Sequence, residues 1–132
     1  MIMIRITAHR KLTTYTGNLL KNTQHSPRFI LVKYWQQGTK NAWILHEVGK
    51  EKLITVGVVI ENSSIKRLKV LALRESRGWE VKHEFFTRQF SGLTINPQYA
   101  LDQHVDGISG ATLSVRALKK IARISLYLEQ QL

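Results

Sequence analysis

The chain has 132 residues, room for one domain with a modest core. Hydrophobic residues make up 43% and charged residues 22%, which excludes wholesale disorder. Its 20 Lys and Arg against 9 Asp and Glu give a formal charge of +11, so the surface attracts polyanions or anionic ligands. With no cysteine, a disulfide framework, a thiolate nucleophile and cysteine-held zinc or iron–sulfur centres are excluded.

No stretch reaches the roughly 20 apolar residues of a transmembrane helix. The apolar run Val56–Ile60 has the length of a strand. Met1–Ile4 is followed at once by Arg5 and lacks the apolar stretch of a secretory signal, so the expectation is a cytoplasmic protein or an export segment outside this sequence.

Residues 1–27 are polar, basic and rich in Thr and Asn, ending in the turn-like run Asn22–Pro27, and no element is assigned to them. The domain proper is placed at 28–132. Phe29–Trp35 and Ala42–Val48 are β-branched and aromatic, predicting two strands broken by Gln36–Asn41. Leu53–Glu61 and Ile65–Arg74 flank Asn62-Ser63-Ser64, residues that tolerate turn conformations, and read as a hairpin. Past Gly78, the spacing of Val81, Phe85, Phe86 and Phe90 predicts one short helix over Trp79–Phe90. Ser91–Pro97 reads as loop or short strand. Leu113, Ala117, Ile121, Ile124 and Leu128 then form an apolar stripe on a terminal helix of about 18 residues, with Arg116, Lys119, Lys120 and Arg123 on the other side. The order predicts an α+β domain: a small, mainly antiparallel sheet, a short helix and a long C-terminal helix.

Chemistry concentrates before that helix, at Asp106-Gly107-Ile108-Ser109-Gly110-Ala111-Thr112. A helix start presents unpaired N–H groups and the positive end of the helix dipole, and small residues leave room for a phosphate. Ser109 is the expected N-cap, which puts the Thr112 hydroxyl in the first turn beside the anion. Each piece alone has a plain structural reading as turn, cap or solvated residue.

Asp106–Ser114 resembles the flavinylation motif of the FMN-binding domain family, which includes periplasmic flavoprotein subunits of the sodium-pumping NADH:quinone reductase and the Rnf complex. Upstream, Arg74-Glu75-Ser76-Arg77-Gly78 is similar to the family's Glu-Thr-Pro-Gly segment, with Ser76-Arg77 in place of Thr-Pro, and Phe86–Gly92 resembles its following element. The resemblance covers about residues 42–130. It implies FMN as cofactor, esterified through its phosphate to Thr112 by a separate Mg-dependent flavin transferase. The phosphate would lie beside the amides of Gly110, Ala111, Thr112 and Leu113, with Arg116 one turn on. Ser109, Asp106, Glu75, Gly78 and Trp79 complete the expected cofactor-binding set; Gln89 is a weaker positional match.

Trp79 and Phe86 are candidates to cover the flavin ring, although core packing suits aromatic residues better. Arg74, Arg77 and Lys82 are candidates to tune its potential. The implied role is an electron carrier with acidic or membrane-bound redox donor and acceptor proteins, and a periplasmic or membrane-associated location. A reversible FMN-binding oxidoreductase is the alternative. A second alternative is a basic nucleic-acid or membrane-surface module built on Arg116, Lys119, Lys120 and Arg123 with Lys66, Arg67 and Lys69. The five histidines show no metal-ligand spacing, and no Rossmann, P-loop or Gly-x-Ser-x-Gly motif is present.

Overall fold

A computed structural model describes residues 7–15 and 28–132, with side chains described from Lys33 onward. Five antiparallel strands follow one another in a meander: β1 (Thr7–Tyr15), β2 (Arg28–Gln37), β3 (Lys40–Val48), β4 (Leu53–Glu61) and β5 (Ser64–Leu73). Strand β1 falls within the segment to which the sequence assigned no element, and the turn-like run Asn22–Pro27 lies outside the described residues. Asn62 and Ser63 take φ of 53° and 63°, the left-handed pair that matches the twist of a two-residue hairpin between β4 and β5.

The sheet is two-sided. Ile54, Val56, Val58 and Ile60 of β4 point to one face and are buried there, while Thr55, Gly57 and Val59 point to the other. The long helix, which with one short helix completes the α+β architecture, packs on the first face against β3, β4 and β5. This helix, Thr112–Gln130, buries Ala117, Ile121, Ile124 and Leu128 as its periodicity requires. Leu113 departs from the expected stripe and is 40% exposed. The buried face also takes in Ser114, Val115, Leu118, Ala122 and Ser125, so it is wider than the apolar stripe and its centre is rotated away from Leu113. Small polar side chains shift that centre because they can be buried once bonded: the Ser125 hydroxyl donates to the Ala122 carbonyl at 2.9 Å.

Far from its start the helix is clamped to β3. Glu129 accepts from the indole N–H of fully buried Trp43 at 3.0 Å and from the Asn41 amide at 2.6 Å. Trp43 stacks on Tyr34 with ring centroids 4.5 Å apart, and Lys120 pairs with Glu47 at 3.0 Å. These contacts fix the direction in which the helix start points.

Instead of one helix over Trp79–Phe90, the chain forms a 3-10 turn (Trp79–Lys82), the short helix α1 (Glu84–Thr87) and a second 3-10 turn (Arg88–Phe90). His83 is extended, with φ −70° and ψ 138°, and interrupts the helical path. Val81, Phe86 and Phe90 enter the core while Phe85 is turned out to solvent. The mixed spacing reflects one core anchor per short turn. Beyond it, Ile95 bridges Leu101 in an otherwise irregular segment. The C-terminal helix is hereafter α2.

Candidate functional site

Three segments distant in sequence meet at the start of α2. The Ala111 N–H donates to the Ile108 carbonyl at 3.0 Å, and Gly110 takes φ of +84°, a conformation that glycine adopts without steric cost. This turn places Ser109 outside the helix, so it is not the N-cap the sequence suggested. Ala111 holds that position, and no side chain caps the end. The first backbone bond of the helix runs from the Val115 N–H to the Ala111 carbonyl, which leaves the amides of Thr112, Leu113 and Ser114 available to an outside acceptor. The Ala111 amide is engaged within the turn. Its methyl is buried, and the open space lies at Gly110 and Gly107, where a side chain would meet nothing within 4 Å.

Gly78 forms the second wall. Its φ is +81°, and a Cβ on it would lie 2.7 Å from the Ser114 hydroxyl and 3.7 Å from the Ala111 methyl. Glycine is required there both for conformation and for closeness. Trp79, next in the chain, is 53% exposed; its indole N–H donates to the Glu75 carbonyl at 2.7 Å and Lys82 sits 5.0 Å from its ring centroid. Of the two aromatic candidates, then, Phe86 is core and Trp79 is exposed beside Gly78, outside the lining of the cleft at the helix start.

Glu75 is buried and its Oε1 accepts from the backbone N–H groups of Lys50, Glu51 and Lys52 at 3.0, 2.6 and 2.6 Å. It thus pins the β3–β4 turn to the segment that presents Gly78. The Lys52 and Glu51 amides hold its pKa below the ordinary value of 4.5 against the opposing effect of burial. Because the folded state binds this proton less tightly than the unfolded chain does, the stabilisation is complete above pH 4.5 and drains away as pH falls through the lower folded value. Glu75→Gln should therefore melt below wild type at neutral pH, with the gap closing below pH 4.5 in thermal denaturation across a pH series. Glu61, lowered by the Thr39 hydroxyl and Lys66, is common to both proteins and cancels from the comparison.

The third segment is held by Gln89, which the sequence marked only weakly. Its amide brackets the Asp106 backbone: Nε2 donates to the carbonyl at 3.3 Å and Oε1 accepts from the N–H at 2.8 Å. The Asp106 carboxylate points outward, 3.2 Å from His104. Gln89→Ala should cost about 1–2 kcal/mol, read as a lower urea midpoint, with faster amide exchange at Asp106. Arg74, by contrast, donates to the Leu53 carbonyl at 3.0 Å and to the Thr55 hydroxyl at 3.1 Å, which ties it to the sheet.

An open cleft of about 530 Å³ lies beside exposed Thr112, lined by Gly107, Ile108, Ser109, Val115, Arg116 and Lys119. Helical geometry brings Arg116 and Lys119 to the same flank as Thr112. Helix amides, two cations and a hydroxyl converge there.

Comparison with known protein families matches residues 49–126, more than half of the chain, to the FMN-binding domain. The chain belongs to the FMN-binding domain family. FMN is the cofactor of this domain, and the match runs from the β3–β4 turn through most of α2. No curated protein and no solved structure matches the chain. The residues at the helix start fit FMN's phosphate: the free amides and the cations of Arg116 and Lys119 suit a dianion, and Gly110 keeps the approach clear. Among the described residues no helix is long and apolar enough to cross a membrane.

Proposed function

We propose that this FMN-binding domain is an electron-transfer module carrying FMN as a phosphoester on Thr112. The observation that supports it is an exposed threonine at an uncapped helix N-terminus, flanked by Arg116 and Lys119, in a chain of the FMN-binding domain family. The ester bond forms between the Thr112 hydroxyl oxygen and the FMN phosphorus. The flavin transferase's donor is a flavin whose phosphate is held in a phosphoanhydride; that P–O–P bond breaks as the ester forms, and the second phosphate group leaves, taking up the hydroxyl proton.

Thr112 is exposed and borders the open cleft, where a transferase reaches it. The amides of Thr112 and Leu113 and the side chains of Arg116 and Lys119 hold the phosphate's remaining charge. Exposed Trp79 and Leu113 offer apolar surface to the ring, and Gly78 packs closely against Ser114 and Ala111 beside them. Once bound, FMN supplies one- and two-electron chemistry. The open cleft suits a tethered cofactor, because attachment holds it at high effective concentration without deep enclosure.

The test is intact mass spectrometry of the protein co-produced with a flavin transferase, followed by denaturation. A mass gain of one FMN less water, with yellow fluorescence retained by the denatured chain, is expected. Release of all flavin on denaturation would establish the reversible alternative.

A further inference from the structure

We infer that the sheet face opposite α2 docks on an anionic lipid surface. The exposed face of an antiparallel sheet ordinarily alternates to polar residues. Here β2, β3, β4 and β5 place Trp35, Ile44, Val59 and Leu71 on it, extended by the cross-strand pair Val48 and Leu53. Leu71 reaches over the sheet to within 3.3 Å of a Cβ position on Gly57, and the Ile44 side chain lies 3.6 Å from that position, so these two meet across β4, while His46 and Thr55, bonded at 2.8 Å, lie between them and the Val48–Leu53 pair. Val48, Leu53 and Leu71 are 47%, 45% and 49% exposed. None of these six residues joins the buried core, which gathers the apolar side chains of α1 and α2 on the opposite face.

These residues have a cationic border. Lys33 pairs in register with Ile44, Arg67 with Val59 and Lys69 with Gly57, all three exposed, and Arg74 crosses to Leu53 and Thr55. The register also sets Arg10 of β1 opposite Lys33.

Charge selects the occupant. A second copy would bring the same cations face to face. Residues 1–32 contain no Asp or Glu, so the chain's own N-terminal part has no acid to offer. Edge strand β5 is irregular, with register shifts at Thr55/Val56 and Val59/Ile60 that oppose addition of a partner strand. Apolar patches that include a tryptophan and are flanked by Lys and Arg instead match a bilayer interface, where apolar groups enter the acyl boundary and cations meet lipid phosphates.

The experiment is co-sedimentation of the full chain with phosphatidylcholine vesicles, with and without phosphatidylglycerol. Binding is expected only with phosphatidylglycerol, weakening as salt rises. R67E/K69E should reduce it by at least about tenfold, since each cation near such a surface contributes measurably. Leu71→Asp should also weaken it, whereas K82E/R88E, an equal charge change on the helical side, should bind as wild type. Brominated lipid should quench tryptophan emission in wild type and less in Trp35→Phe, a readout that stands even if Leu71→Asp fails to fold. No sedimentation at low salt, or equal losses in K82E/R88E, would overturn the inference. So would retention on immobilised polyglutamate, insensitive to Leu71→Asp, without vesicle binding; that result would point to an acidic protein. No flavin is required, so failure here leaves the FMN reading intact.

Discussion

Thr112→Ala should abolish covalent flavin altogether while leaving the fold undisturbed. The residue is exposed and no side chain caps this helix end, so removing the hydroxyl should change stability by no more than about 0.5 kcal/mol. Everything lost in that variant is therefore attachment chemistry. Intact mass after co-production with a transferase should return to that of the bare polypeptide, with an unchanged melting curve. Thr112→Ser keeps a hydroxyl on the same first turn and should retain some flavin. Persistence of a full FMN adduct in Thr112→Ala would move attachment to another hydroxyl, with exposed Ser109 in the same cleft the first to examine.

The largest effect on stability at the site is expected for Gly78→Ala. Alanine in the left-handed region costs about 1–2 kcal/mol, and its methyl would lie 2.7 Å from the Ser114 hydroxyl, a buried group with little room to retreat. Together these effects should destabilise the protein by about 2–4 kcal/mol, measured as a lower urea midpoint at unchanged slope. Adding Ser114→Ala removes the closest atom but leaves the backbone strain, so the double variant should recover about 1 kcal/mol. If it recovers nothing, the contact between the Gly78 segment and α2 is looser than described. Flavin loading should fall in Gly78→Ala as well, since displacing this segment shifts Trp79 and the first turn together.

Much of this site could be read without coordinates. Gly110 and Thr112 announce an open helix start, and the motif around them carries the family resemblance that the comparison bears out. Misplacing the cap at Ser109 followed from a local rule: serine is a good cap, yet the turn closed by the Ala111 N–H and the Ile108 carbonyl moves the helix start beyond it. Glu75 reads in sequence as a loop carboxylate near the flavin. Its three backbone donors come from a turn more than twenty residues away, and nothing in its own neighbourhood signals them. The same holds for Gln89 and Asp106, whose pairing depends on how two loops cross.

Strand alternation, hairpin chemistry and helical periodicity act between near neighbours, so the sequence alone determined the antiparallel β2–β5 sheet, the C-terminal helix and the residues at its start. Tertiary packing decided which side of α2 is buried, why Leu113 and Trp79 remain open, and how Gly78 comes against Ser114. Those outcomes depend on contacts between segments far apart in the chain, where steric fit and hydrogen-bond satisfaction in three dimensions override local preference.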